Sequence, residues 1–515
     1  MAHGSAAAIW SEARRLGHWF MKPRMLAFAP ALALGAFWFG GDQALALAAL
    51  GLPVMMLAGG AIGVGHRSAR RGVDSATGLP VLDRLAPEAT EILRICAGTG
   101  RASALFLVQL EELDRVLARH GQAAADLMAE RIAQRFLANL RNEDRVYAIG
   151  NARFAICLAP EPHFSLESAI QLAARLQSSA EEPVSFENQT LFSSASIGLC
   201  LSARSPEPSG EAFLRAAETA LAAAAESGPS AIRAYTREVA SRARLREQLA
   251  AEAQTAFASG AIAPFFQPQV SNDTGEVTGF EALARWQHPE KGLLSPAEFL
   301  PALAASGQMQ QLGEAMLGGA LAALKTWDAK GLHVPRVAVN FTAEDLGNPK
   351  LAERIRWDLD RFDLTPDRLT IEVLETIVAG ARESTVTRNL ARLSELGCHI
   401  DLDDFGTGYA SISAIRRFAV SRIKIDRSFI TRVDRDREQQ RMVAAIQTMA
   451  ERLGLETLAE GVETPGEHAM LAQLGCAHVQ GFGIARPMRA DQAENWLTAN
   501  AAQLDELPRI QGKSG

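Results

Sequence analysis

Seven short apolar runs in the second half of the chain carry, at or near their ends, residues able to hold a cation or a phosphate. In order these are Glu281 in FEALARW, Asn340 in VAVNF, Glu372 in LTIEVLE, and the adjacent pair Asp403-Asp404 in HIDLDDFGTGY. Lys424 in RIKID, Glu460 in TLAEGVE and Gln480 in HVQGFG follow. Mg2+ and Mn2+ take hard oxygen ligands, and Glu281, Asn340, Glu372, Asp403, Asp404 and Glu460 offer five carboxylates and one amide. So many acids converging would repel one another unless metal ions neutralise them. The Asp403-Asp404 pair suits a site with two ions, which at a spacing of about 3.5–4 Å are the usual clamp for in-line attack on a phosphodiester. Lys424 adds a compact cation with three donors, fit to hold a phosphate oxygen or the attacking water. Any one of these residues alone reads as a solvated surface group. The chemistry lies in the set, several titratable groups brought to one pocket.

The elements that must position them are legible in the same stretch. From Phe265 onward, strand-like runs and helical stretches alternate eight times, beginning with AIAPFFQPQV and ending with HVQGFG. Alternation of that number predicts an α/β (β/α)8 barrel, whose sites sit at the C-terminal strand ends. The expected organisation is a membrane anchor over 1–72, an α/β domain over 73–235, a linking helix over 236–260, the barrel over 261–505 and a tail over 506–515.

The residues of the barrel resemble those of an EAL domain, the barrel that hydrolyses cyclic di-GMP to a linear dinucleotide. FFQPQV, FEALARW, SPAEFL, VNFTAEDL, IEVLE, DDFGTGYAS, IKIDRSFI, AEGVE and QGFGIARPM occur in the family's order. The resemblance implies two Mg2+ or Mn2+ ions. Glu281, Asn340, Glu372 and Asp403 would bind one, and Asp403, Asp404 and Glu460 would serve the second or its water. Lys424 would position or activate the nucleophilic water, with Glu281 and Glu460 as its catalytic partners. Gln267, Arg285 and Gln480 would serve the substrate, Gln480 also supporting the water and metal shell. Glu375 resembles the glutamate that holds the glycine-rich loop after Asp404. Leu374 departs from the family, which commonly has Thr there.

The middle stretch resembles a GGDEF domain, the fold that makes cyclic di-GMP from GTP, beginning at Asp74-Ser-Ala-Thr-Gly-Leu-Pro80. Its signature hairpin reads Gly150-Asn151-Ala152-Arg153-Phe154. Arg153 puts a cation where the family has a metal-binding acid, and Gln109 stands where the other metal aspartate belongs. Leu117 replaces a guanine-binding Asn, while Asp126 still matches a guanine-binding Asp. The resemblance therefore implies no cyclase activity, since phosphoryl transfer needs metal-bound triphosphate. Arg141 and Asp144 match the spacing of the family's RxxD inhibitory site, although a surface Arg and Asp near a helix end would look the same. A regulatory or dimerising role is expected of this domain, and a homodimer of the whole.

The N-terminal stretch holds two apolar runs, about 25–41 and 44–65, flanked by Arg14, Arg15, Lys22 and Arg24 before and by Arg67, Arg70 and Arg71 after. About 20 apolar residues span a bilayer, and positive flanks stay cytoplasmic. The runs predict a transmembrane hairpin in membrane lipid, placing the chain in the inner membrane of a bacterium with its soluble domains in the cytoplasm. A signal peptide fits poorly, because a second apolar run and an Arg cluster follow directly. The net charge of -7 gives no basic footprint for a nucleic acid duplex. Five scattered cysteines read as buried thiols rather than a disulfide frame or zinc site. A cyclic di-GMP receptor that binds without cutting, and a membrane signalling scaffold, are the rival readings.

Overall fold

Alternating apolar positions at period two, broken by Ala-rich helical stretches, give the described part of the chain its α/β character. The computed structural model describes residues 73–506 except 151, 381–384, 407–414 and 416. Two units divide between Ser241 and Arg242.

In the first unit, β1 (Ala104–Leu110), β2 (Arg145–Ala148), β3 (Arg153–Cys157), β6 (Ala195–Leu201) and β7 (Ile232–Ala234) form a sheet in the order β2-β3-β1-β6-β7. β4 (Val184–Phe186) and β5 (Gln189–Leu191) form a separate hairpin. Apolar side chains on alternate positions of β1 feed two cores. Phe106 and Val108 pack into one with the helices Gln122–Asn139 and Leu166–Glu181, and Leu105 and Leu107 into the other with Leu85–Thr99 and Gly210–Ala225. The run LFSSASIGLCL, which reads as one strand, is two. It breaks at Ser193-Ser194, where the Ser194 amide donates to Glu112 rather than to a sheet neighbour.

The second unit is a closed eight-stranded barrel. Its strands are β8 (Ile262–Ser271), β9 (Val277–His288), β11 (Val337–Asn340), β12 (Leu369–Leu374), β13 (His399–Phe405), β14 (Arg422–Ile425), β15 (Glu456–Ala459) and β16 (His478–Val479). β10 (Gly292–Leu294) extends the edge beside β9. The alternation expected from the sequence fails at one place. No helix separates β8 from β9, and β8 runs antiparallel to both its neighbours. Only five residues join them, enough to reverse the chain but far short of the dozen that a parallel crossover needs. From β9 to β16 every barrel pairing is parallel.

The helix Arg237–Ala258 buries Leu249, Ala253 and Ala256 in the barrel core. Trp286 and Trp327 are packed there against Phe299 and against Phe266 and Phe280. All five cysteine thiols are free and buried. The apolar runs at 25–41 and 44–65 lie outside the described residues, as does the tail beyond Glu506. Among the described residues no helix is long and apolar enough to cross a membrane.

Candidate active site

Parallel strands in register bring side chains of the same facing to one level of the barrel, and the pairing here does so for the acids. Asn340 lies beside Glu372, and Gln267 lies across from Glu281. Glu281 is not at a strand end, because β9 continues to His288. Its parallel pairing with β11, however, stops at Ala282, so Glu281 stands where the closed barrel ends.

The pair Asp403-Asp404 presents a geometric problem. Successive residues of a regular strand point to opposite faces. The register solves it: Leu402 pairs with Ile423 and Phe405 with Ile425, so two residues of β13 oppose Lys424 alone. Such a bulge re-aims side chains beside a site. Asp404 takes the left-handed conformation, φ 54°, which Asp tolerates better than most residues. With the strand so bent, Asp403, Asp404 and Glu460 each offer a carboxylate oxygen, all within 4.8 Å of one another.

Lys424 sits at the centre and is 1% exposed. Its Nζ lies 2.7 Å from Glu460, 3.0 Å from Glu372, 3.0 Å from Asp403 and 3.6 Å from Glu281. Burial opposes its charge, but the surrounding carboxylates prevail and hold the ammonium well above its ordinary range. The acids respond differently. Burial, with Glu281 beside it, pushes Glu372 well above the carboxylate range. Burial also lifts Glu460, to about 8, Lys424 opposing and Asp403 and Glu281 adding to the rise. Burial and the neighbouring Asp403 raise Asp404. At Glu281 burial is outweighed by Lys424, by the neighbouring Glu372 carboxyl and by hydrogen bonds from Gln480 and Asn340, so its carboxyl lies below the ordinary value.

Hydrogen bonds tie Glu281 down on both oxygens. Asn340 Nδ2 donates to Oε1 at 2.9 Å and Gln480 Nε2 to Oε2 at 2.6 Å. Glu372 is the opposite case: fully buried, with neither oxygen accepting a hydrogen bond, although Lys424 approaches one of them. One ammonium shared among four buried carboxyl groups cannot neutralise them all, and a buried charge left uncompensated costs several kcal/mol. Together with the three convergent oxygens of Asp403, Asp404 and Glu460, this fits a divalent cation. A cavity of about 230 Å3 opens onto Gln267, Glu281, Asp403, Glu460 and Gln480 and is flanked by Arg427 and Phe482. Gln267 donates to the Ala485 carbonyl at 2.9 Å. Arg285 is half-buried, with Nη1 on the carbonyl of Ala284.

Glu375 Oε2 accepts the Gly406 amide at 2.9 Å, fixing the start of the loop after Asp404. Gly406 has φ 101°, and a Cβ there would lie 2.6 Å from the Phe429 ring, so no other residue serves at that turn. Residues 407–409 of the loop lie outside the described set. Sequence reasoning named the acids but missed Gln269, Asp401 and Arg422, which lie buried one layer below them.

In the first unit, Gln109 and Arg153 are register partners on β1 and β3, and the Arg153 Nε donates to the Gln109 side-chain oxygen. Leu117, Asp126 and Arg153 line one cavity with Asp74 and Gly150. Arg141 and Asp144 both line a cavity of about 270 Å3, together with Glu161 and His163. Asp144 accepts the backbone amides of Arg141 and Ala159, each at 2.9 Å, while the Arg141 side chain pairs with Glu161. The structure gives Asp144 a turn-closing role that a four-residue pattern cannot reveal.

Comparison with known proteins agrees with this division. Residues 250–487 match the EAL domain family, and residues 72–230 match the family described as diguanylate cyclase, GGDEF domain. The chain is 31% identical over 421 residues to the bifunctional diguanylate cyclase/cyclic di-GMP phosphodiesterase MucR of Pseudomonas aeruginosa, covering 81% of this chain and 60% of MucR. It is 32% identical over 429 residues to the cyclic di-GMP phosphodiesterase NbdA of the same organism, covering 83% of this chain and 54% of NbdA. The chain thus spans little more than half the length of these relatives. A solved S helix-GGDEF-EAL structure of LapD from Vibrio cholerae, bound to c-di-GMP, covers 85% of this chain and 98% of its own at 17% identity, with a TM-score of 0.54. That likeness is one of fold.

Proposed function

We propose, for a chain that belongs to the EAL-domain proteins and carries a GGDEF domain ahead of its barrel, that the barrel hydrolyses cyclic di-GMP to linear pGpG. The observation that carries this reading is the excess of buried acid around Lys424, above all Glu372, whose oxygens accept no hydrogen bond. Glu281, Asn340, Glu372 and Asp403 would hold one divalent ion, and Asp403, Asp404 and Glu460 a second. Mg2+ or Mn2+ held there supplies Lewis-acid polarisation of the phosphate and neutralises the acids.

The protein groups then have separable tasks. Lys424, kept protonated by its neighbours, has no lone pair to act as a base and instead donates to a phosphate oxygen or to the incoming water. Glu460, whose carboxylate lies 2.7 Å from Lys424 and beside Asp403 and Asp404, would take the water's proton as general base. The water oxygen bonds to phosphorus, the P–O3′ bond breaks, and the 3′-oxygen takes a proton from solvent and departs as a hydroxyl, while Glu460 returns the proton it accepted to solvent. The phosphate remains on the 5′ side, which is pGpG. Gln267, which lines the cavity, and Arg285, four residues beyond Glu281 on β9, would orient the substrate, and Gln480 steadies the Glu281 carboxylate.

The GGDEF domain is proposed to make no cyclic di-GMP and to act in regulation or dimerisation. The Gln109–Arg153 pair supports this, since a guanidinium held at the metal position repels the divalent ion that phosphoryl transfer from GTP needs. The runs 25–41 and 44–65 would anchor the chain in a bacterial inner membrane, with both domains cytoplasmic. Fractionation tests the anchor: release needs detergent, and release by salt alone would contradict it. The purified chain, given cyclic di-GMP and Mn2+, should yield pGpG on chromatography, and EDTA should stop it. Tight binding with no product would instead make the barrel a receptor.

A further inference from the structure

One layer below the site acids the barrel interior holds a second set of polar side chains. Asp401 precedes Asp403 by two residues and Arg422 precedes Lys424 by two. On the antiparallel β8, Gln269 follows Gln267 by two. Side chains two apart on a strand share a face, so these groups form the floor beneath the site. Gln269 is 0% exposed, Asp401 1%, Arg422 2% and Gln480 4%.

Their hydrogen bonds run in one direction. Arg422 Nε donates to Asp401 Oδ2 at 2.8 Å, and Nη2 donates both to that carboxylate and, at 2.9 Å, to Gln269 Oε1. Gln269 Nε2 donates to Gln480 Oε1 at 3.0 Å. Gln480 Nε2 donates to Glu281 Oε2 at 2.6 Å and to Gln267 Oε1 at 3.2 Å. A guanidinium has donors and no acceptor. Gln269 must therefore meet Arg422 with its oxygen, which turns its NH2 toward Gln480. Gln480 must meet that NH2 with its own oxygen, which turns its NH2 toward Glu281. Each amide orientation is dictated by the one before it, and the first is dictated by a buried ion pair. Gly279, the register partner of Gln269, leaves room for this arrangement: a Cβ there would lie 3.4 Å from Gln269 Oε1 and 3.0 Å from the Arg336 carbonyl.

We infer that Gln269 is a positioning residue for the metal site, carrying the fixed polarity of the Arg422–Asp401 pair through Gln480 to the Glu281 carboxylate. The inference rests on Glu281 serving as a metal ligand, as proposed above. A role confined to satisfying Arg422 needs only the oxygen of Gln269. The NH2 half is what reaches the site. Gln269→Glu separates the two, because it keeps an acceptor for Arg422 and removes the donor to Gln480.

The test is calorimetric titration of the full chain with Mn2+ alone, at pH 8, beside thermal melting in EDTA. Gln269→Glu should bind Mn2+ about 10–100-fold more weakly, the usual loss when a hydrogen bond supporting a metal ligand is removed. The added negative charge by itself would act the other way. In a Gln480→Leu background the same substitution should cost nothing further. Gln269→Met, which removes both halves of the amide, should show the same loss alone and no further loss in the Gln480→Leu background, and that pair of results decides the question if Gln269→Glu does not fold. A lowered melting temperature with Mn2+ affinity within about twofold of the unaltered chain, less than 0.5 kcal/mol, would overturn the inference alone. Absence of Mn2+ binding by the unaltered chain would overturn both it and the metal-site reading.

Discussion

The barrel mouth and the end of the β1–β3 pair in the first unit both present polar side chains at paired strands, and they differ in whether those side chains satisfy one another. At that end, Gln109 and Arg153 form a closed pair, donor to acceptor. At the mouth, four carboxylates share one ammonium, and Glu372 keeps two buried oxygens without a hydrogen bond. Demand for a cation comes from the surplus of buried acceptors over donors, not from acids as such. Among the described residues, the first unit has no buried carboxylate oxygen without a hydrogen bond and the barrel mouth has two.

The largest effect should follow from removing an acid that touches most of the others. Glu281→Ala loses contact with Lys424, Asn340 and Gln480 at once. It should lower turnover of cyclic di-GMP by at least a thousandfold, corresponding to ~4 kcal/mol of transition-state stabilisation, measured as initial rate at saturating Mn2+. Activity within tenfold of the unaltered chain would place the site elsewhere.

Removing the lysine sharpens the comparison from the other side. Lys424→Met leaves four carboxylates converging with no cation, and a broken buried charge set costs about 3–5 kcal/mol. The melting temperature in EDTA should drop, and Mg2+ should restore much of it. A drop that Mg2+ leaves untouched would mean that the acids hold no metal.

The pH dependence follows from the raised acids. Glu460, at about 8, carries its proton in the metal-free site below that pH, and burial favours the neutral form of Glu372 as well. A metal ion must displace these protons. Mn2+ affinity should therefore climb as pH rises from 6 to 8, by up to about tenfold per unit for each displaced proton, and level off above. Titration calorimetry in two buffers reads both the climb and the released proton. A flat profile would contradict the shifts.

The smallest effect should come from Leu374, where the sequence departs from the EAL pattern. It is 40% exposed at the end of β12. Leu374→Thr should change rate and stability by no more than about 0.5 kcal/mol, as for most surface substitutions. A larger change would tie this residue to control of the loop that Glu375 holds.

Much of the barrel is legible in the sequence because parallel strands buried on both faces are short apolar runs, and the acids interrupt those runs visibly. The antiparallel β8–β9 start is visible too, in hindsight, as the brief turn Asn272-Asp273-Thr274-Gly275 between two strand-like runs. The bulge at Asp403-Asp404 is not, since it depends on which residue of β14 each one faces, a fact of pairing and not of composition. Arg422 and Asp401 escaped notice because a charged residue inside a strand-like run reads as solvated. The available signal was their spacing of two from Lys424 and Asp403, which puts them on the same interior face. In the first unit the break at Ser193-Ser194 was hidden for the reverse reason: the side-chain partners that replace the sheet bonds come from Glu111 and Glu112, some 80 residues away in sequence.

The contrast between the two pockets is tested most directly by giving the same preparation of the chain both nucleotides in parallel, with Mg2+ or Mn2+, and separating the products. The account predicts pGpG from cyclic di-GMP and no cyclic di-GMP from GTP. Cyclic di-GMP formed from GTP, or intact cyclic di-GMP after prolonged incubation with folded protein and metal, would contradict it.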